Sequence, residues 1–223
     1  MVKTSAANSG ESSFSEMAAL YIIEGVAGSG KDTLCAQIVE ALQPQERRVL
    51  VFSEEAVLAT WLYYFVPGIH ELRLDLAERL IDHSQTVLSR DPDAAFVFNR
   101  LHVSFAVWRQ ERNADPSLEE RHRKLVTALS TLPVQIFQAV LTKDEALGRT
   151  SHVERRELAW RQFLEERVRS LGDADAGSSY LRQQEAMTRV LEADGLPYGQ
   201  VHVGIGWSLP KDFLSRQNLK TTG

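Results

Sequence analysis

The sequence predicts an α/β fold of three layers, a central parallel five-stranded sheet with helices on both faces. Three observations carry this. Short apolar runs alternate with longer segments of helical period, which indicates right-handed βαβ units. The first run, Leu20 to Glu24, meets a glycine-rich turn and passes directly into a helical segment. The chain has 223 residues, a length that suits one such domain.

The elements follow in order. Leu20 to Glu24 is continuously apolar enough for a buried parallel strand. Lys31 to Leu42 places Leu34, Cys35, Ile38, Val39 and Leu42 at helical spacing and is closed by Pro44. Val49 to Phe52 reads as the second strand and ends at Glu54 and Glu55. Leu72 to Arg90 reads as a helix with Leu72, Leu76, Leu80, Val87 and Leu88 on its apolar positions, and Asp91-Pro92 breaks it. Ala95 to Phe98, Val134 to Leu141 and Val201 to Val203 are the remaining strands, with a charged helix from about Val153 to Leu171. Segment 172–199 reads as a polar loop and then a helix within the same domain. The domain is expected over 18–210, after a disordered lead-in at 1–17 and before a flexible tail at 211–223.

Composition narrows the function. The formal net charge is -5 and no basic stripe is present, which argues against polymeric DNA or RNA as a partner. No apolar run approaches the ~20 residues of a membrane span. The first residues lack an apolar core and carry Glu11 and Glu16, so no targeting segment is read and the cytoplasm is expected. Cys35 is the only cysteine, and its apolar helical setting predicts a buried structural thiol.

The strongest motif is Gly25-Val26-Ala27-Gly28-Ser29-Gly30-Lys31, between the first strand and the first helix. Its glycines let successive backbone N–H groups face a phosphate chain, the helix N-terminus adds positive potential, and Lys31 reaches the terminal phosphates. This makes the expected fold that of a P-loop NTPase and ATP the expected ligand of residues 25–33. Where a hydroxyl usually follows the lysine, this chain has Asp32 and then Thr33. Thr33 is a candidate phosphate contact. Asp32 is either a first-turn acid favoured by the helix dipole or a ligand for Mg²⁺.

Downstream, Phe98-Asn99-Arg100-Leu101-His102-Val103-Ser104, followed by Trp108, resembles the signature of thymidylate kinases within the nucleoside and nucleotide kinases. Arg100 and Ser104 match, Asn99 stands for the family's Asp, and Leu101 for its Tyr. The resemblance implies that Arg100 grips the acceptor through its bidentate fork, with Asn99, Ser104 and Trp108 beside it. Arg79, twenty residues before Asn99, is similar to a family arginine that contacts the acceptor nucleotide. The position four residues before Arg79, often a base-stacking Phe in relatives, is Asp75. Glu54 and Glu55 stand where related kinases carry a carboxylate that orients the acceptor or takes a hydroxyl proton. Trp61, Tyr63, Tyr64 and Phe65 are either core or a base-stacking wall. Ala146 to Glu157 resembles the family's lid, expected at about 148–171. It implies that Arg149, Arg155 and Arg156 close over the transferring phosphoryl group, Arg149 and Arg155 as catalytic residues beside Lys31 and Arg100. The resemblance further implies a homodimer. Three functions follow as expectations: a nucleoside monophosphate kinase (dTMP and ATP to dTDP and ADP), a kinase acting on a hydroxyl of a nucleoside or other small molecule, and a non-catalytic nucleotide-binding module.

Overall fold

The computed structural model describes residues 18–45, 47–112, 115–148, 157–204, 206–210 and 213–214. Among the described residues, twelve α-helices and β-strands follow one another. They are β1 (Leu20–Gly25), α1 (Lys31–Leu42), β2 (Arg48–Phe52), α2 (Ile69–Leu88), β3 (Ala94–Asn99), α3 (His102–Glu111), α4 (Ser117–Ser130), β4 (Val134–Val140), α5 (Lys143–Gly148), α6 (Leu158–Leu171), α7 (Ala176–Asp194) and β5 (Tyr198–His202). The five strands form one sheet in the order β2-β3-β1-β4-β5, and every adjacent pair is parallel. Leu20 lies opposite both Phe96 and Val134, so β1 and the loop that follows it are held at the centre.

The pleat assigns the two faces. Tyr21, Ile23, Ala95, Val97, Phe137 and Ala139 point to one side and pack with Leu34, Cys35, Ile38 and Leu42 of α1. Leu20, Ile22, Phe96, Phe98 and Ile136 alternate to the other, beneath side chains of α2, α3, α4 and α7. Leu34, Ile38 and Leu42 are wholly buried, and burying each stabilises the layer by about 2 kcal/mol. Burial also pushes the Cys35 thiol up to about 11, with Asp32 adding to the shift, so it behaves as a packing residue. The tail expected at 211–223 includes two described residues, Phe213 and Leu214, and both pack against the α1 face, Phe213 with its ring centroid 4.9 Å from that of Phe137. No described helix is long and apolar enough to cross a membrane.

One helix, α3, had no clear sequence signature, and α7, expected as a helix within 172–199, had bounds the sequence left open. In α3 every residue from His102 to Arg109 is buried, so no polar face reveals its period. In α7 the buried stripe includes Gly177, Ser179 and Gln183, and polar residues on the inner face obscure an amphipathic pattern.

A buried polar cluster joins three of these helices. Asp194, the last residue of α7, sets Oδ1 3.1 Å from His122 Nε2 of α4 and Oδ2 3.4 Å from His102 Nε2 of α3. Burial alone would raise the Asp194 carboxyl, but the two imidazoles outweigh it and hold it well below the usual carboxylate range. A depressed carboxyl stabilises the fold above its ordinary value, near pH 4, and this contribution is lost as the pH falls below that value. Asp194→Asn is therefore expected to lower stability at pH 7 and to flatten the loss below about pH 4. Urea unfolding of both proteins across pH 3–7 checks this, and parallel pH profiles would refute it.

Candidate active site

The loop after β1 is shaped by two close approaches. Gly30 caps α1 with φ +91°, and a Cβ there would lie 2.6 Å from Val203 Cβ at the end of β5, so only glycine fits. Gly25 faces Ala139 O equally closely, which seats the loop on β4. Val26, Ala27, Gly28 and Ser29 make the curl between them, with Ser29 N–H donating to Val26 O at 3.2 Å. Lys31 is buried in the first turn of α1 and its Nζ donates to Val26 O at 3.4 Å. Burial and the neighbouring Arg100 charge lower its ammonium to about 8, against the opposing pull of Glu54. Asp32 and Thr33 follow, both exposed.

The end of β3 meets this loop. Asn99 Nδ2 donates to Asp32 Oδ1 at 2.7 Å, which leaves the buried Asn99 Oδ1 without a partner. Arg100 comes next with φ 72°, a left-handed conformation unusual for a non-glycine residue. Its Nη1 donates to Ser104 Oγ at 2.9 Å, and its Nε lies 2.9 Å from Glu54 Oε2 as an ion-pair contact. Lys31 Nζ is 3.9 Å from that same oxygen. Glu54 is thus the carboxylate shared by both cations, whereas Glu55 is exposed. Behind them, Ser104 Oγ donates to Glu24 Oε2, and Glu24 Oε1 accepts the backbone N–H of Leu101 and Val103 at 2.9 and 3.2 Å. Glu24 is wholly buried, and at the start of α3 it satisfies N–H groups that have no helical partner.

Beyond Arg100 a pocket opens, with about 430 Å³ of empty space counting its mouth. Trp61, Trp108, Trp160 and Phe163 form its aromatic walls, and Ala27 and Glu54 connect it to the phosphate loop. Trp108 lies under the Arg100 guanidinium, 5.3 Å from carbon to ring centroid. Within the aromatic stretch, Tyr64 is core while Trp61 faces the pocket. The far side is built by Arg167, Tyr180 and Gln183, in or beyond the charged helix. Arg167 is itself fixed, its guanidinium paired with Glu111 and donating to Ser179 Oγ at 2.8 Å.

The structure separates two arginines of α2. Arg79 is exposed and does not join the cluster. Arg73 is fully buried, donates to the carbonyls of Leu58 and Thr60, and lies 4.5 Å from the Trp108 ring. It fastens the segment that carries Trp61. The lid candidates Arg149, Arg155 and Arg156 fall outside the described residues, while α6 supplies Trp160 and Phe163 to the pocket wall.

A parallel sheet ordered β2-β3-β1-β4-β5 with a glycine-rich loop between its central strand and α1 is decisive for the architecture. The chain has a P-loop NTPase fold. No family profile and no curated protein matches the sequence. Among solved structures it is similar to the YorR protein of Bacillus subtilis, determined in complex with phosphorylated GDP. The TM-score is 0.50 at 16% identity, over 88% of this chain and 91% of that one. At that identity the likeness concerns the fold.

Glu24 yields a prediction for this P-loop fold. Glu24→Ala would leave two backbone N–H groups and the Ser104 hydroxyl unpaired in a buried space, at roughly 1–3 kcal/mol for each unmet group. The expected result is a loss of at least about 3 kcal/mol in urea unfolding. A change below about 1 kcal/mol would show that water replaces the carboxylate without cost.

Proposed function

We propose that the chain is a kinase that transfers the γ-phosphoryl group of ATP to a nucleoside or nucleotide acceptor. The observation that supports this most directly is the convergence of Lys31 and Arg100 on one oxygen of Glu54, between the phosphate loop and the aromatic pocket. Buried cations in a site screened from water stabilise charge on a transferring phosphoryl group. ATP would lie along residues 25–33, its terminal phosphates against Lys31, and the acceptor would occupy the pocket beside Arg100 and Trp108. Mg²⁺ fits the residues present: Asp32 offers a carboxylate beside the loop, and the unpartnered Asn99 Oδ1 offers a neutral oxygen. When bound, the ion would offset phosphate charge.

The thymidylate-type reaction, dTMP and ATP to dTDP and ADP, is the reading that resemblance suggests. The Arg100–Glu54 ion pair favours the other expected acceptor, a hydroxyl. A phosphate entering beside Arg100 would meet the Glu54 carboxylate and be repelled by it. A hydroxyl would find in Glu54 a base: its proton passes to the carboxylate, its oxygen bonds to the γ-phosphorus, and the bond to the β-phosphate oxygen breaks to release ADP. The non-catalytic alternative gains no support from such a carboxylate.

Release of ADP from ATP with a panel of nucleosides and their monophosphates tests these readings. Lys31→Ala should lower the rate by well over about tenfold, and full activity in that variant would end the kinase reading. Glu54→Gln should cost about 10²–10⁴-fold if a hydroxyl reacts, the range for a lost general base. Retained or improved turnover of a monophosphate by Glu54→Gln would favour the phosphate acceptor instead.

Asp32 gives a separate expectation. Without a metal its charge repels the triphosphate; with Mg²⁺ it becomes a ligand. Removing magnesium should therefore weaken ATP binding to the wild type by more than about tenfold and to Asp32→Ala far less. Asp32→Ser combined with Asn99→Asp should restore the dependence. Calorimetric titration of ATP with and without Mg²⁺ decides it, and an equal metal effect in wild type and Asp32→Ala would show that Asp32 serves only the helix dipole.

A further inference from the structure

Arg73 of α2 is a cation buried without a carboxylate of its own. It is wholly enclosed, and burial lowers its guanidinium to about 10. Among the described residues no carboxylate forms an ion pair with it, and Nη1 has no hydrogen-bond partner. Burying a charge on such terms is costly, so the bonds that the side chain does make define its task. Both go to one short stretch of backbone. Nε donates to Leu58 O at 2.5 Å and Nη2 to Thr60 O at 3.2 Å. These carbonyls flank Ala59, whose N–H donates to Glu54 O at 2.9 Å, while Val57 N–H donates to Ser53 O at 3.3 Å. Leu58 holds φ 52°, a left-handed conformation that a leucine rarely takes and that persists only where its surroundings enforce it. Segment 53–60 is thus a coiled turn that leaves β2, carries Glu54 near one end and is fastened to α2 at the other.

The same guanidinium reaches the site from a second side. It lies 4.5 Å from the Trp108 ring, and that ring lies 5.3 Å from the guanidinium of Arg100, the partner of Glu54. Arg73 therefore touches both supports of the Glu54 carboxylate: the backbone turn that bears it and the ring beneath the cation that holds it. We propose that Arg73 is a positioning residue for phosphoryl transfer, fixing segment 53–60 so that the Glu54 carboxylate stands where an acceptor hydroxyl gives up its proton. This rests on the hydroxyl-kinase reading above and deepens it, because the placing of the base is assigned to a residue outside the pocket. A base contributes only within hydrogen-bond reach of its proton, and a shift of about 1 Å caused from a distance costs on the order of a hundredfold. The fork of the guanidinium is what the geometry uses. It serves two carbonyls two residues apart, whereas a lysine would keep the charge on a single point.

Arg73→Lys is compared with the wild type in three measurements. They are hydrogen exchange followed by mass spectrometry, ATP affinity by calorimetry, and single-turnover transfer from ATP to thymidine, deoxycytidine, deoxyadenosine and deoxyguanosine. Exchange across segment 53–60 should quicken by about tenfold or more, while β1 and β4 keep their protection. ATP affinity should stay within about twofold, and transfer to the best nucleoside should slow by at least about tenfold. Added to Glu54→Gln, the same change should cost less than about threefold, because the base it positions is already gone. A merely structural arginine would give losses that multiply. Multiplying losses, or unchanged exchange across 53–60, overturn the inference. Should Arg73→Lys lose ATP binding and the protection of β1 and β4 together, it has lost its fold. Arg73→Gln, which keeps a two-donor amide and gives up the charge, then takes its place in the same cycle. Collapse of both variants would show that the arginine serves the fold alone and would also overturn the inference. Absence of transfer by the wild type to any of the four nucleosides ends the hydroxyl-kinase reading, and this inference with it. Transfer by the wild type with multiplying losses counts against this inference only.

Discussion

The candidate site hangs on the buried carboxylate of Glu24. It leaves β1 just before the phosphate loop and holds the first N–H groups of α3 and the Ser104 hydroxyl. Ser104 in turn accepts from Arg100, Arg100 pairs with Glu54, and Glu54 lies near Lys31. Lys31 donates back to Val26 O, two residues from where the circuit began. The ring links the ends of β1, β2 and β3 with α1 and α3, so the phosphate loop and the pocket beside Arg100 share one frame. Such a circuit resists partial loss, because a buried polar network missing one member strands the others.

The same circuit settles how so much positive charge can be buried. Lys31, Arg73, Arg100 and Arg167 all lie inside, and burial lowers Lys31 to about 8 and Arg73 to about 10. Glu24, Glu54 and Glu111 oppose this from below, beside and beyond the pocket. One oxygen of Glu54 faces both Lys31 and Arg100, and Glu24 lies behind them through Ser104, so these buried cations are opposed by carboxylates inside the fold. Arg167 differs from the others, since Glu111 and Ser179 already satisfy it; its part is to hold α6 and α7 together as a wall.

Much of this was legible in the residues. The helix over Lys31 to Leu42 was readable to the residue, because strand, glycine turn and apolar period all agree there, and Arg100, Ser104 and Trp108 do meet at one site. Arg79 shows where sequence offset fails. It is six residues from Arg73, about 240° around a helix, so the two cannot share a face. The buried stripe Arg73, Ala77, Ile81, Ser84 could have revealed the inward arginine, whereas spacing to Asn99 could not. Glu24 was hidden at the end of a strand in which every residue is buried. Arg167, Tyr180 and Gln183 were hidden because polar residues on an inner helix face look like those on an outer one until the pocket is known.

The backbone at Arg100 carries the last step. A positive φ is costly for a side chain of this kind and persists only where its surroundings enforce it. Here the enforcement is visible on both sides: Arg100 N–H donates to Ile23 O at 2.9 Å as a continuation of the sheet, and the next N–H is taken by Glu24. Between these two anchors the chain must turn sharply from strand to helix, and the turn throws the guanidinium toward Glu54 and over Trp108. An arginine on a relaxed loop would lose conformational entropy on meeting a ligand. This one has lost it in folding, so its guanidinium is already placed beside Glu54 and Trp108.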